Sequence, residues 1–75
     1  MPKQFLLNHD IYNKLSIEKA IQDYSVYCNV VTKTIDKQNV EIEIIVNPKH
    51  EQNTEEITKE FLNYVLDLSI KGRFQ

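Results

Sequence analysis

The sequence predicts an α+β fold in the order strand, helix, strand, strand, helix: a two-layer sandwich with a three-stranded antiparallel sheet on one side and two helices on the other. Three observations carry this. Val40, Ile42, Ile44 and Val46 alternate with Glu41, Glu43 and Ile45, the period-two pattern of a strand with one wet face. Ile17, Ala20, Ile21, Tyr24 and Tyr27 or Cys28 recur at helical spacing opposite Glu18, Lys19, Gln22 and Asp23. Ile57, Phe61, Tyr64, Val65 and Leu68 do the same near the C-terminus, within an arc of about 100° on a helix of 3.6 residues per turn.

The first strand is read over residues 4–12, where Phe5, Leu7 and Ile11 hold period two and His9 takes the remaining position on their face. Ser16 then serves as an N-cap, and Glu18 suits the positive end of the helix dipole, so the first helix is expected over 16–27. Residues 28–36 turn to β-branched Val30, Val31, Thr32, Thr34 and Ile35, which fit a pleated surface, and form the second strand. The polar run Asp36-Lys37-Gln38-Asn39 makes the hairpin turn into the third strand, which Asn47-Pro48 closes because proline cannot donate to a ladder. A polar loop over 48–53 leads to the last helix. Asn53 or Thr54 caps it, Asn53 and Glu56 have capping-box spacing, and it is expected to end near residue 70 with Lys71 and Gly72 at its C-terminus.

A right-handed first crossover with the hairpin partner inserted between gives strand order 1-3-2 and both helices on one face. That arrangement resembles a truncated ferredoxin-like fold without its fourth strand. The outer edge of the first strand is then left open, with N–H and C=O groups that have to be covered, guarded or used. Residues 1–75 form a single small α+β domain.

Composition narrows the function. Nine Lys or Arg against eleven Asp or Glu give 9 − 11 = −2, with no basic block, which argues against nucleic acid. A chain of 75 residues buries only about 60% of its unfolded surface, enough for one thin core and no deep catalytic cavity. One cysteine, Cys28, excludes an intrachain disulfide and a thiolate metal cluster, and a reducing compartment follows. No apolar run exceeds three residues, as at 5–7 and 44–46, so neither a membrane span nor a signal peptide is expected, and the expected location is cytoplasmic. His9, His50 and Cys28 show no ligand spacing or triad motif, and there is no glycine-rich phosphate loop. No metal, cofactor or catalytic residue is assigned, and the chain reads as a non-enzymatic binding or scaffold protein. Glu41 and Glu43 read as a solvated strand face that discourages edge pairing.

Two binding surfaces are expected. On the last helix Leu62, Leu66 and Ile70 form a second apolar stripe, roughly opposite the first and interrupted only by Lys59 and Asn63. It is either partly covered by the first helix or offered to a partner, and i, i+4, i+8 spacing suits a helix or groove. On the first strand, Phe5, Leu7, His9 and Ile11 mark an edge on which an extended peptide can add.

Ile11-Tyr12, Ser16-Ile17-Glu18-Lys19-Ala20-Ile21, Glu60-Phe61-Leu62-Asn63-Tyr64-Val65-Leu66-Asp67 and Ile70-Lys71 together resemble the HxsD family. These are the small D components of His-Xaa-Ser radical-SAM peptide-maturation systems. The likeness runs along most of the chain and is most specific over residues 60–71, where Ile70-Lys71 stands for the family's Leu-Arg. The resemblance implies an accessory protein without a catalytic centre, whose partners are a radical-SAM maturase and a ribosomally made precursor peptide. A self-associating module, with a homodimer built on the second stripe or the open edge, is the alternative.

Overall fold

The computed structural model describes residues 2–73 and gives the element order β1 (Lys3–Asn8), α1 (Lys14–Asp23), β2 (Cys28–Thr34), β3 (Asn39–Val46), a 3-10 turn (Pro48–Asn53) and α2 (Thr54–Arg73). The strongly alternating strand β3 is the centre of the sheet. It pairs antiparallel with β1, Phe5 opposite Ile42 and Leu7 opposite Val40, and with β2, Val30 opposite Ile44 and Cys28 opposite Val46. The order is therefore β1-β3-β2, as the sequence predicts.

The pleat sends Leu7, Val40, Ile42, Ile44 and Cys28 to one face, where Ile17 and Ala20 of α1 and Ile57, Phe61 and Val65 of α2 bury them. Removing a side chain such as Phe61 from water is worth about 1.5–3 kcal/mol, and this face supplies the driving force for the fold. The opposite face is open to solvent and carries Leu6, Val31 and Ile45 among Gln4, Lys33, Glu41 and Glu43. Glu41 and Glu43 thus lie on the central strand. They cannot guard an edge, and Glu43 accepts a hydrogen bond from the Gln4 amide at 2.9 Å.

Several boundaries differ from the sequence reading, each for a local reason. β1 stops at Asn8 because its carbonyl accepts the N–H groups of Ile11 and Tyr12 while its side chain accepts that of Asp10, closing a turn over residues 9–12. His9 and Ile11, read as strand residues, are in that turn. The cap of α1 is Asn13 rather than Ser16: its side-chain oxygen accepts the Leu15 N–H at 2.8 Å. α1 ends at Asp23, four residues short of expectation, because the Tyr24 carbonyl takes the N–H groups of both Tyr27 and Cys28 and redirects the chain into β2. The loop at 48–53 is a 3-10 turn opened by Asn47, whose side chain accepts the Lys49 N–H, and by Pro48 at its first position. It runs directly into α2, where the Thr54 hydroxyl donates back to the Glu51 carbonyl, in place of an Asn53–Glu56 box. α2 continues to Arg73, so Gly72 is inside the helix and not beyond it.

The two helices are fastened at both ends of α1. At its start, the Asn13 N–H donates to Ser69 Oγ at 2.8 Å, and Ser69 donates in turn to the Val65 carbonyl. At its end, the Tyr64 hydroxyl donates to Asp23 at 2.5 Å.

Candidate functional site

The ladder alternation shows what the β1 edge offers. In an antiparallel pair every second residue exchanges both backbone bonds with its partner, and the residues between turn theirs outward. His9 N–H donates to the Gln38 carbonyl at 2.7 Å in continuation of the β1–β3 register, so positions 3, 5 and 7 face β3 and positions 4, 6 and 8 face away. The outer edge therefore carries the N–H and C=O of Gln4 and Leu6 and the N–H of Asn8, the Asn8 carbonyl being used by the turn. A shallow groove of about 330 Å³ lies along Gln4, Phe5 and Leu6 beside Glu41.

β2 is an edge strand as well, which the strand order implies, but the two edges differ. Lys33 lies within β2, whereas the ionisable side chain of β1, Lys3, stands at its first residue and Gln4 to Asn8 have none.

The structure separates the residues read as one edge surface. Phe5 is half-buried and Leu7 buried, both pointing into the core, so their contribution to the edge is backbone. His9 lines a different groove, with Lys14, Ile17, Glu18, Thr32, Thr34 and Val40, and its Nδ1 lies 3.2 Å from the Tyr12 carbonyl oxygen. Ile11 is exposed in the turn.

On α2 the second stripe is not opposite the first. Thr58 and Ser69 occupy the gap of about 60° between Val65 and Leu62 and are buried, which joins the two stripes into one broad apolar arc. Leu62 packs on the core and Leu66 is half-buried, forming a shoulder, while Ile70 is 43% exposed and Lys59 and Asn63 are exposed beside it. α1 covers the other flank, where Tyr64 and Tyr24 meet with ring centroids 5.5 Å apart. α2 also packs against the central strand β3.

Cys28 is 3% exposed, and burial pushes its thiol pKa upward, the opposite of what a nucleophile needs. Among the described residues no group of three or more His, Cys, Asp or Glu is placed to hold a metal ion, and no helix is long and apolar enough to cross a membrane. One feature escaped the sequence reading: a cleft of about 320 Å³ bounded by Tyr24, Tyr27, His50, Asn53, Glu56, Ile57 and Glu60. Its only trace in the sequence is the pair of tyrosines three apart at the end of the first helix, which periodicity assigns to the core.

These features define a small α+β sandwich with an open sheet edge on β1 and a partly exposed apolar shoulder on α2. Compared with protein-family models, curated proteins and solved structures, the chain matches none.

Proposed function

We propose that this chain is a non-catalytic accessory of a radical-SAM peptide-maturation system, acting in the cytoplasm. It binds the precursor peptide as an added strand along β1 and uses the Leu62, Leu66 and Ile70 shoulder to hold that peptide or the maturase. The observation that supports peptide binding most is the row of outward backbone groups at Gln4, Leu6 and Asn8, uncharged and flanked by apolar surface. Strand addition draws affinity from such groups and specificity from adjacent pockets. The maturation context rests on the likeness over residues 60–71. The same edge is self-complementary about a two-fold axis, which supports a homodimer as the second reading.

Leu6→Pro tests the edge. It removes one outward N–H and leaves the bonds to β3 in place, a substitution that edge strands tolerate. With the precursor peptide measured by fluorescence anisotropy, affinity should fall by about tenfold, one lost backbone bond and a blocked strand register together, while circular dichroism stays unchanged. Unchanged affinity in a folded variant would remove the edge from the binding site. Light scattering on the chain alone decides the second reading: a dimer that Leu6→Pro dissociates and that ignores peptide and maturase would replace the accessory role with self-association.

A further inference from the structure

We infer that the cleft between the Tyr24–Tyr27 turn, the 3-10 turn and the first two turns of α2 is a binding site for a cationic side chain, the ammonium of lysine or the guanidinium of arginine. It is separate from the β1 edge and does not depend on the reading of that edge.

The walls are aromatic. Tyr24 and Tyr27 have ring centroids 6.0 Å apart at 59°, and Tyr27 meets His50 edge-on at 5.3 Å. Tyr24 is held from behind by Phe61, at 5.7 Å and 86°, so the wall is anchored in the core. Ile57 supplies an apolar floor for a methylene stem, and a volume of about 320 Å³ admits one long side chain. Aromatic rings attract an alkylammonium or guanidinium group that reaches their faces through their quadrupoles, more strongly as the site is desolvated.

The rim is acidic. Glu56 and Glu60 are one turn apart on α2 and both border the cleft. Like charges at this spacing repel. Among the described residues the ion pairs are Lys19–Asp23 and Lys71–Asp67, and no lysine or arginine lines the cleft. The Glu60 charge is felt inside: after burial, it is the largest cause holding the Tyr24 phenol pKa above its ordinary value. The N-terminus of α2 opposes a cation, but it amounts to about half a unit charge confined to the first turn, against two full carboxylates. An anion would meet both carboxylates, and a neutral apolar group would leave them unneutralised. A cation with an aliphatic stem satisfies rings, floor and rim together.

The test is a titration of the ¹⁵N-labelled full chain followed by amide shifts, with Nα-acetyl-lysine methylamide, Nα-acetyl-arginine methylamide and the neutral isostere Nα-acetyl-norleucine methylamide. Saturable shifts confined to residues 24–28 and 50–60 are expected with the two cations. The norleucine probe should bind about tenfold more weakly, and so should either cation to the Glu56→Gln/Glu60→Gln variant, whose dispersed spectrum reports its fold. Higher salt should weaken cation binding, as the rim is solvent-accessible. Absence of saturable shifts, equal binding of norleucine, or an unaffected double variant would each overturn the assignment. Leu6→Pro should leave cation binding intact, so failure at the edge and failure at the cleft are read separately.

Discussion

Two hydroxyls on the same seam of α2 have opposite relations to their surroundings. Ser69, 1% exposed, accepts the Asn13 N–H and donates to the Val65 carbonyl, so it satisfies a backbone donor at the start of α1 as well as itself. Thr58, 6% exposed, has no partner for its Oγ1. An unsatisfied buried polar group costs about 1–3 kcal/mol, whereas an apolar group of the same shape costs nothing of that kind. Ser69→Ala should destabilise by about 0.5–1.5 kcal/mol, the net worth of a lost hydrogen bond, since Asn13 is exposed and water can take its N–H, and Thr58→Val should stabilise by about 1 kcal/mol. Urea unfolding of the two variants checks both signs, and a destabilised Thr58→Val would mean that the hydroxyl finds a partner in solution. The burial of both residues is visible only in the packed molecule, since small polar side chains on a helix read as its wet face.

At the scale of the element, the β2–β3 hairpin is organised by one carboxylate. Asp36 Oδ1 accepts the N–H of Gln38 at 2.8 Å and of Asn39 at 2.9 Å, and the Asn39 amide reaches both carboxylate oxygens at 3.1 Å. The bond from Gln38 foremost, and those from Asn39, hold its pKa below the ordinary 3.8. A depressed carboxyl stabilises the fold above its unfolded pKa, and that contribution disappears as pH falls below 3.8 through the folded value. Asp36→Asn should thus be less stable than the parent near neutral pH, with the difference closing as urea midpoints are followed down through this window. A constant difference would mean that the charged form has no special role in the turn. The polar break itself was legible, because Asp and Asn beside alternating strands signal a turn by their own hydrogen-bonding chemistry. The end of β1 was not: His9 and Ile11 continue the alternation, and only the bonds converging on Asn8 show that the chain has already turned.

The whole molecule is a slab 17 Å thick at its thinnest, two layers sharing one core, and Phe61 stands at the centre of that core with no exposed surface. A domain of this size has roughly 4–11 kcal/mol of stability, from about 0.05–0.15 kcal/mol per residue. Phe→Ala in a packed core costs about 3–5 kcal/mol. Phe61→Ala should consequently leave a large unfolded fraction at 25 °C without denaturant, read from circular dichroism and amide dispersion, and a loss below about 1 kcal/mol would displace Phe61 from its central role. Because Phe61 also backs Tyr24, the same variant should loosen the cleft wall, so cleft binding is properly tested with the surface substitutions at Glu56 and Glu60.

By itself the sequence determined the order of the elements, the two faces of β3, the antiparallel strand order and the apolar arc that seats α2. Apart from the strand order, which follows from the handedness of the first crossover and the hairpin, each of these is a periodic property written in residues within a few positions of one another. The tertiary structure alone decided that Leu62 and Leu66 form a half-buried shoulder, that His9 belongs to a groove apart from the β1 edge, and that Tyr24, Tyr27, His50, Glu56 and Glu60 enclose one cleft. Those placements join segments tens of residues apart. They depend on which flank of α2 the first helix covers, and that choice is made by packing, by the Ser69 and Tyr64 bonds at the two ends of α1, and by no local pattern in the chain.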